Sequence, residues 1–441
     1  MISRKKLSTP PPLLPICCKA RSKLLKWGEI TMKNYCIIGT GVAAVNAAKA
    51  IRDQDPEGNI LVFGSEDSMP YNRIKLSKDL FADLRSEKVL IKKEAWYQKQ
   101  QIQTFPNTTI KQMDVENHVL VTSSGERISY DKLLICTGAK NRKLPLPGFD
   151  KQGVYTIREM HEAEAFKTYI EDKSSIVNIG GGIQGLETAW SLVKAGKKVT
   201  ILEAAPRLMA RQLDDKASSL LKQKIEATGV DVRLQAAVQQ VIGEEAAAGI
   251  QVNELTIPCD SVIYSIGVIP NLDLVANTPV TTRQGIIVND YMETNVPDVY
   301  AAGDVAEWNG AVEGLWDRAM DQGKIAGKNM ASQETEAYRK TIPVTIFNAF
   351  DLALFSMGLV DETQCDTTLI EEDAASGKYT RLFIANQTLV GVISFESVIA
   401  AAPYKTAIES QASLTGLDLK AMSIQEVMAV VKEQLETPIT V

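Results

Sequence analysis

A short strand, a glycine-rich turn, a helix and a second strand occur twice in this chain, and few folds accommodate that pattern. The first copy places an apolar run at 35–38 before Gly39-Thr40-Gly41, a helical stretch at 42–52 and a second apolar run at 60–63. The second copy places a run at 176–179 before Gly180-Gly181-Gly182, a helix at 183–194 and a strand at 198–202. Each reads as the opening strand–helix–strand unit of a doubly wound parallel sheet. One sheet takes one such opening, so the spacing predicts an α/β chain with two Rossmann-like dinucleotide-binding domains.

The glycines have a chemical purpose. Backbone without side chains can approach a pyrophosphate closely, and the N-terminus of the following helix stabilises the anion. Gly39 and Gly41 fill the first two glycine positions of the first copy. Ala44 fills the third, where the requirement is close helix–strand packing. Gly180, Gly182 and Gly185 fill all three in the second copy. An acid at the end of the second strand serves the ribose hydroxyls. Glu203 directly follows the 198–202 strand. Its charge repels a 2′-phosphate and Ala204 and Ala205 supply no cation, which favours NADH over NADPH, Arg207 being the nearest opposing charge. In the first copy, Glu66 of Gly64-Ser65-Glu66-Asp67 is the candidate.

Pro145-Leu146-Pro147-Gly148 and Ile269-Pro270-Asn271 punctuate the chain around the second copy. After about residue 340 the pattern changes to short strand-like runs at 367–370, 380–384 and 389–394, then a helix at 424–435, which reads as a small C-terminal α+β domain. Residues 1–32 are basic and interrupted by Pro10, Pro11, Pro12 and Pro15. They are expected to be an extension without fold, preceding a natural start at Met32. A basic transit peptide is the alternative, which the helix-breaking prolines disfavour.

Composition removes several function classes. A net charge of −6 and a pI near 5.4 argue against nucleic acid as partner, because phosphate binding draws on clustered Lys and Arg. There is no apolar run of about 18 residues, so no membrane span is expected. The six cysteines include no C-x-x-C pair, which points to neither a zinc site nor a disulfide framework and fits a reducing, cytoplasmic setting. With only His118 and His161 available, histidine-based chemistry has few candidates.

Four further motifs are specific: Pro70-Tyr71-Asn72-Arg73 with Leu76-Ser77-Lys78; Leu134-Ile135-Cys136-Thr137-Gly138-Ala139; Ser265-Ile266-Gly267-Val268-Ile269-Pro270-Asn271; and Val299-Tyr300-Ala301-Ala302-Gly303-Asp304. Over residues 33–395 the chain resembles the FAD/NAD-linked pyridine nucleotide oxidoreductase superfamily. Within it, it resembles the branch of rubredoxin reductases, ferredoxin reductases, apoptosis-inducing-factor-like proteins and the flavin portion of NADH-nitrite reductase. The resemblance implies FAD on the first loop, with Thr137, Gly138, Gly303 and Asp304 around it and Asp304 on the ribityl chain. It implies NADH on the second loop, with Gly267 nearby. It also implies a discontinuous FAD domain (33–148 and 271–340), an inserted NAD domain (149–270) and a C-terminal interface domain (341–441).

Charged residues acquire roles from the same resemblance. Taken alone, Lys78 and Glu187 read as a surface lysine and a glutamate in a helix's first turns. In the family's pattern Lys78 lies by the flavin N5 and pairs with Glu187, so that a fixed cation stabilises the reduced ring. Arg73 resembles a flavin-side arginine, or else forms an ordinary surface ion pair. Trp316 falls where a tryptophan lies beside the flavin in ferredoxin reductases, or else packs in the core. Trp96, Trp190 and Trp308 read as packing residues.

The redox cysteine pair of disulfide reductases is missing, and Lys78 stands where some NADH oxidases carry a single cysteine. Cys136 reads as a buried small hydrophobe. The expected activity is therefore hydride transfer from NADH to FAD, then electrons passed singly to a small acidic iron or iron–sulfur carrier of rubredoxin or ferredoxin type. A nitrite reductase subunit, oxygen, or an NADH-responsive association switch are the alternatives. The C-terminal pattern leaves open a docking surface or a homodimer interface.

Overall fold

The computed structural model describes residues 32–373 and 377–436. The expectation of an unfolded extension at residues 1–31 falls outside them. The remaining chain contains the two anticipated parallel sheets. In the first, the strand order is Val299–Ala301, Lys132–Ile135, Asn34–Ile38, Asn59–Phe63, Ile102–Phe105. In the second it is Asp231–Arg233, Lys198–Leu202, Ser175–Ile179, Ser261–Tyr264, Val154–Tyr155. Each glycine loop follows a central strand whose neighbours run on either side, which is the switch point where such sheets bind ligands. The first sheet's central strand is apolar on both faces because both faces are covered: Tyr35, Cys36, Ile37 and Ile38 are all buried. The first sheet draws on two separated stretches of chain, since Val299–Ala301 pairs with Lys132–Ile135.

Helix Val42–Gln54 lies directly against helix Trp316–Ala331. A Cβ on Gly323 would stand 2.2 Å from the Ala43 carbonyl oxygen, and one on Gly327 would stand 2.3 Å from that of Ala47. The contacts advance in step along both helices, so the two run in the same direction. The N-terminus of the second helix, with Trp316, therefore lies at the glycine-loop end of the first.

The C-terminal sheet is antiparallel, ordered Val344–Ala349, Leu352–Gly358, Thr388–Ser394, Lys378–Ala385, Thr367–Asp373. Strand Lys378–Ala385 shows how it sits. Leu382 and Ile384 join a core with Ile408 and Val427 of the two C-terminal helices, Ala401–Ser410 and Ile424–Glu436. Tyr379 and Phe383, on the other face, share a core with Phe166, Leu186 and Ala189. That second core also takes in Tyr71, Leu76, Leu80 and Leu84. A buried ion pair adds to this contact: Asp214 caps helix Asp215–Glu226 by accepting from the Ala217 N–H, and also accepts from Tyr379 and Arg381, both at 2.8 Å.

The hairpin of Val344–Ala349 and Leu352–Gly358 was not expected. Its turn residues Phe350 and Asp351 both adopt positive φ, 56° and 55°, without the glycine or asparagine that marks such a turn in sequence. Among the described residues no helix is long and apolar enough to cross a membrane.

Candidate functional site

The two glycine loops have the same construction. Gly39 has φ of 118° and Gly180 φ of 117°; a Cβ on either would strike a backbone carbonyl, that of Cys136 at 2.1 Å or that of Ser265 at 2.4 Å. Only glycine tolerates both the dihedral and the approach. Gly41 and Gly182 then cap the two helices with no side chain on their N-terminal amides, and a Cβ at either would meet nothing within 4 Å. Each loop thus ends in an open cradle beside unsatisfied N–H groups, the arrangement that receives a pyrophosphate. At the third position Gly185 is required, since its Cβ would lie 2.1 Å from the Gly180 carbonyl oxygen. Ala44 takes the equivalent place fully buried in the core.

Glu203 folds back toward its loop, one carboxylate oxygen accepting from the Gly181 N–H at 2.5 Å and the other from the Ala205 N–H at 2.7 Å. The carboxylate is thereby held at the mouth of the second cradle. Arg207 is turned to Asp215 at 2.8 Å and to the Ala210 carbonyl.

In the first half, Glu66 is engaged within the chain. One oxygen accepts from Arg73 at 2.6 Å; the other accepts from the Tyr71 hydroxyl at 2.7 Å and the Met160 N–H at 3.0 Å. Arg73 also lies over the Tyr71 ring and donates to the Arg158 carbonyl. Burial raises the carboxyl of neighbouring Glu159, the nearby Glu66 charge adding to this and Arg73 opposing it.

Thr137 and Asn271, 134 positions apart, are fastened to each other. The Thr137 hydroxyl donates to the Asn271 carbonyl, and the Asn271 amide donates back to the Thr137 carbonyl. Strands Ala139–Asn141 and Val268–Pro270 pair beside them, preceded by Gly138 and Gly267 at φ of 64° and 99°. Gly303, at φ of 81°, donates its N–H to Gln322 and precedes Asp304. Trp316 is partly buried against the first core.

Asp304 is met by a residue that the sequence did not single out. Arg158 donates to its carboxylate at 2.6 Å and to the Ala139 carbonyl at 2.9 Å. No motif carries Arg158, and its partner lies far away in sequence, so nothing local could have marked it.

Lys78 donates to Glu187 at 3.1 Å. Glu187 is almost fully buried and Lys78 is 39% exposed. Burial holds the Glu187 carboxyl above the usual range, and the Lys78 ammonium partly offsets this. The cysteines of the described residues, Cys36, Cys136, Cys259 and Cys365, are all free thiols. Burial raises Cys136 well above the ordinary thiol range and pushes Cys36 up to about 12, which keeps both un-ionised.

Comparison with known proteins agrees with this arrangement. The family model described as pyridine nucleotide-disulphide oxidoreductase matches residues 33–323, and that of the rubredoxin NAD+ reductase C-terminal domain matches residues 343–412. A nitrite reductase [NAD(P)H] of Bacillus subtilis is 32% identical over 82% of this chain and 45% of its own length. An NADH-rubredoxin oxidoreductase of Clostridium acetobutylicum is 29% identical over 86% of this chain and 96% of its own. The chain thus spans about half the length of the first relative and nearly all of the second. The crystal structure of the ferredoxin reductase for the CYP199A2 system from Rhodopseudomonas palustris superposes with a TM-score of 0.78, at 26% identity over 88% of this chain and 99% of that one. With two uncapped glycine cradles on parallel sheets and a family match spanning both, this chain belongs to the pyridine nucleotide-disulphide oxidoreductase family.

Proposed function

We propose that this chain takes a hydride from NADH onto FAD and delivers the electrons to a small iron or iron–sulfur carrier protein of rubredoxin or ferredoxin type. The observation that carries the reading is the Lys78–Glu187 pair, which sets a cation against the helix that follows the second glycine loop, with no paired thiols among the described residues. When bound, the flavin supplies the conversion of a two-electron donor into single electrons.

The chain's own residues fit both groups. The Gly39–Gly41 cradle and its uncapped helix receive the FAD pyrophosphate, with Ala44 packing the helix down. Arg73, braced by Glu66 and donating to the Arg158 carbonyl, and Arg158, reaching Asp304, would supply two neighbouring cations to the FAD. Thr137, Gly138 and Gly303 shape the backbone there, and Trp316 closes the glycine-loop end. Gly180, Gly182 and Gly185 receive NADH, with Gly267 nearby. The fixed carboxylate of Glu203 takes the ribose hydroxyls. Arg207, the cation closest to it in sequence, is paired with the exposed Asp215, and the Glu203 charge would repel a 2′-phosphate, which favours NADH as the donor. Lys78 stabilises negative charge on the reduced ring; Glu187 orients it. The division into an FAD part (33–148 with 271–340), an NAD part (149–270) and a C-terminal part (341–441) follows from the same assignment.

A second reading, as the flavin component of a nitrite reductase complex, is supported by the match to about half of the Bacillus subtilis relative. Anaerobic stopped-flow mixing with NADH, followed by rubredoxin, ferredoxin, nitrite with extract, or oxygen, separates the readings. Rapid reoxidation by an iron carrier is expected. Reoxidation by oxygen alone, or slow reduction accompanied by a change in oligomer size, overturns the carrier assignment.

A further inference from the structure

We infer that Ser191 is a positioning residue for Lys78, acting on its backbone as Glu187 acts on its ammonium. The inference rests on the role proposed for Lys78 above.

Lys78 ends a helix of only four residues, Lys75–Lys78. So short a helix has no stability of its own, because nucleation is not recovered by propagation. Its terminal carbonyls have no partners within the helix. Two things hold it. Leu76 and Leu80 are buried in the core that also contains Leu186 and Ala189 of helix Ile183–Lys194. The Ser191 hydroxyl of that same helix lies 2.8 Å from the Lys78 carbonyl oxygen and 3.0 Å from that of Ser77. It is therefore placed to satisfy the orphaned end of the short helix.

Glu187 and Ser191 are four residues apart, one turn on the same helix face. Both are buried, with relative exposures of 5% and 4%. The short segment that carries Lys78 is thus gripped at two points by one helix, at the tip of the side chain and at the backbone from which it springs. The gripping helix is itself fixed to the second glycine loop through Gly185, which admits no side chain against the Gly180 carbonyl. A displacement of that helix would carry the ammonium with it. The ammonium alone could swing on its flexible four-carbon stem, since Lys78 is 39% exposed. The Glu187 carboxylate limits that swing at the tip, while the Ser191 contact fixes the point from which the stem reaches it.

The test is a double-mutant cycle between Ser191→Ala and Lys78→Met in the flavin-loaded protein, reading the flavin midpoint potential and the anaerobic rate of flavin reduction by NADH. Ser191→Ala is expected to make the potential more negative and slow reduction about three- to tenfold, the loss typical of one hydrogen bond. In the Lys78→Met background the same change is expected to move neither quantity, because the group it positions is gone. In the cofactor-free protein, amide exchange across residues 75–82 is expected to quicken in Ser191→Ala. Should Ser191→Ala retain flavin poorly, Ser191→Cys, of similar size but a weaker donor, carries the same cycle with a smaller effect. Wild-type potential and rate in Ser191→Ala, or an equal effect in both backgrounds, overturns the inference while leaving the role of Lys78 intact. If Lys78→Met alone changes neither quantity, the role proposed for Lys78 fails, and the inference with it.

Discussion

The ammonium of Lys78 lies 3.1 Å from the carboxylate of Glu187, a residue 109 positions away in the sequence. The pair is asymmetric: water reaches the lysine and scarcely reaches the glutamate. The two ends consequently respond differently to substitution.

Replacing Lys78 by methionine removes the cation proposed to stabilise reduced flavin. Flavin reduction by NADH is expected to slow by about a hundredfold, the loss seen when a preorganised electrostatic group is removed. Stopped-flow bleaching of the flavin measures it; an unchanged rate removes Lys78 from the mechanism.

Glu187→Gln is expected to slow flavin reduction while raising thermal stability. Burial raises the Glu187 carboxyl even against its lysine partner. The folded state therefore binds that proton more tightly than the unfolded chain does. This group's contribution favours folding at pH below its ordinary titration range and is lost as the pH rises through the raised folded value. The neutral amide lacks this penalty, and the exposed Lys78 can turn to water. Thermal unfolding at neutral pH decides, and a lowered midpoint would show that the pair is worth more than the burial costs.

Gly182→Ala and Gly185→Ala, three residues apart, should fail for different reasons. A Cβ at Gly182 meets nothing in the chain, whereas one at Gly185 meets the Gly180 carbonyl oxygen at 2.1 Å. Gly182→Ala should fold, losing about 1 kcal/mol or less as an N-cap, yet weaken NADH binding by about tenfold or more because the methyl enters the cradle. Gly185→Ala should lower the unfolding midpoint itself. Wild-type NADH affinity in Gly182→Ala would place the nucleotide elsewhere.

Arg158→Met removes a charge-assisted contact to Asp304. FAD affinity, measured by titrating apoprotein with flavin, should fall by about tenfold, as expected for a hydrogen bond between charged groups that is partly open to water. Equal affinity would leave Arg158 with a purely structural part.

Asp214→Ala leaves Arg381 buried with its Asp214 partner gone, Glu362 being its remaining carboxylate. Breaking a buried pair from one side costs about 3–5 kcal/mol. The unfolding midpoint should drop by several degrees, with flavin spectra unchanged at low temperature. A shift within error would mean that apolar packing alone holds the C-terminal sheet in place.

Much of this protein was legible in the sequence, because its defining elements are local. A glycine that must take positive φ, a helix start without a cap and a doubly covered apolar strand are each written within a few residues. Both nucleotide-binding openings could be read that way, helix Ile183–Lys194 to the residue. The spacing of Glu187 and Ser191 on one helix face was legible too, although its meaning was not.

What only the tertiary structure decided are the contacts between distant segments. The hairpin turning at Phe350 and Asp351 escaped notice because its backbone is imposed by packing and not by turn residues. Strand Lys378–Ala385 is buried on both faces between two cores, so its sequence shows no simple alternation to say which core each side chain joins. Arg158 meets Asp304 across 146 positions, and the Lys78–Glu187 pair, across 109, was expected only through the family resemblance and not from the residues around either partner. Sequence periodicity reports the local backbone and the face that is buried, while the partner of a charge depends on how separate elements fold back on one another.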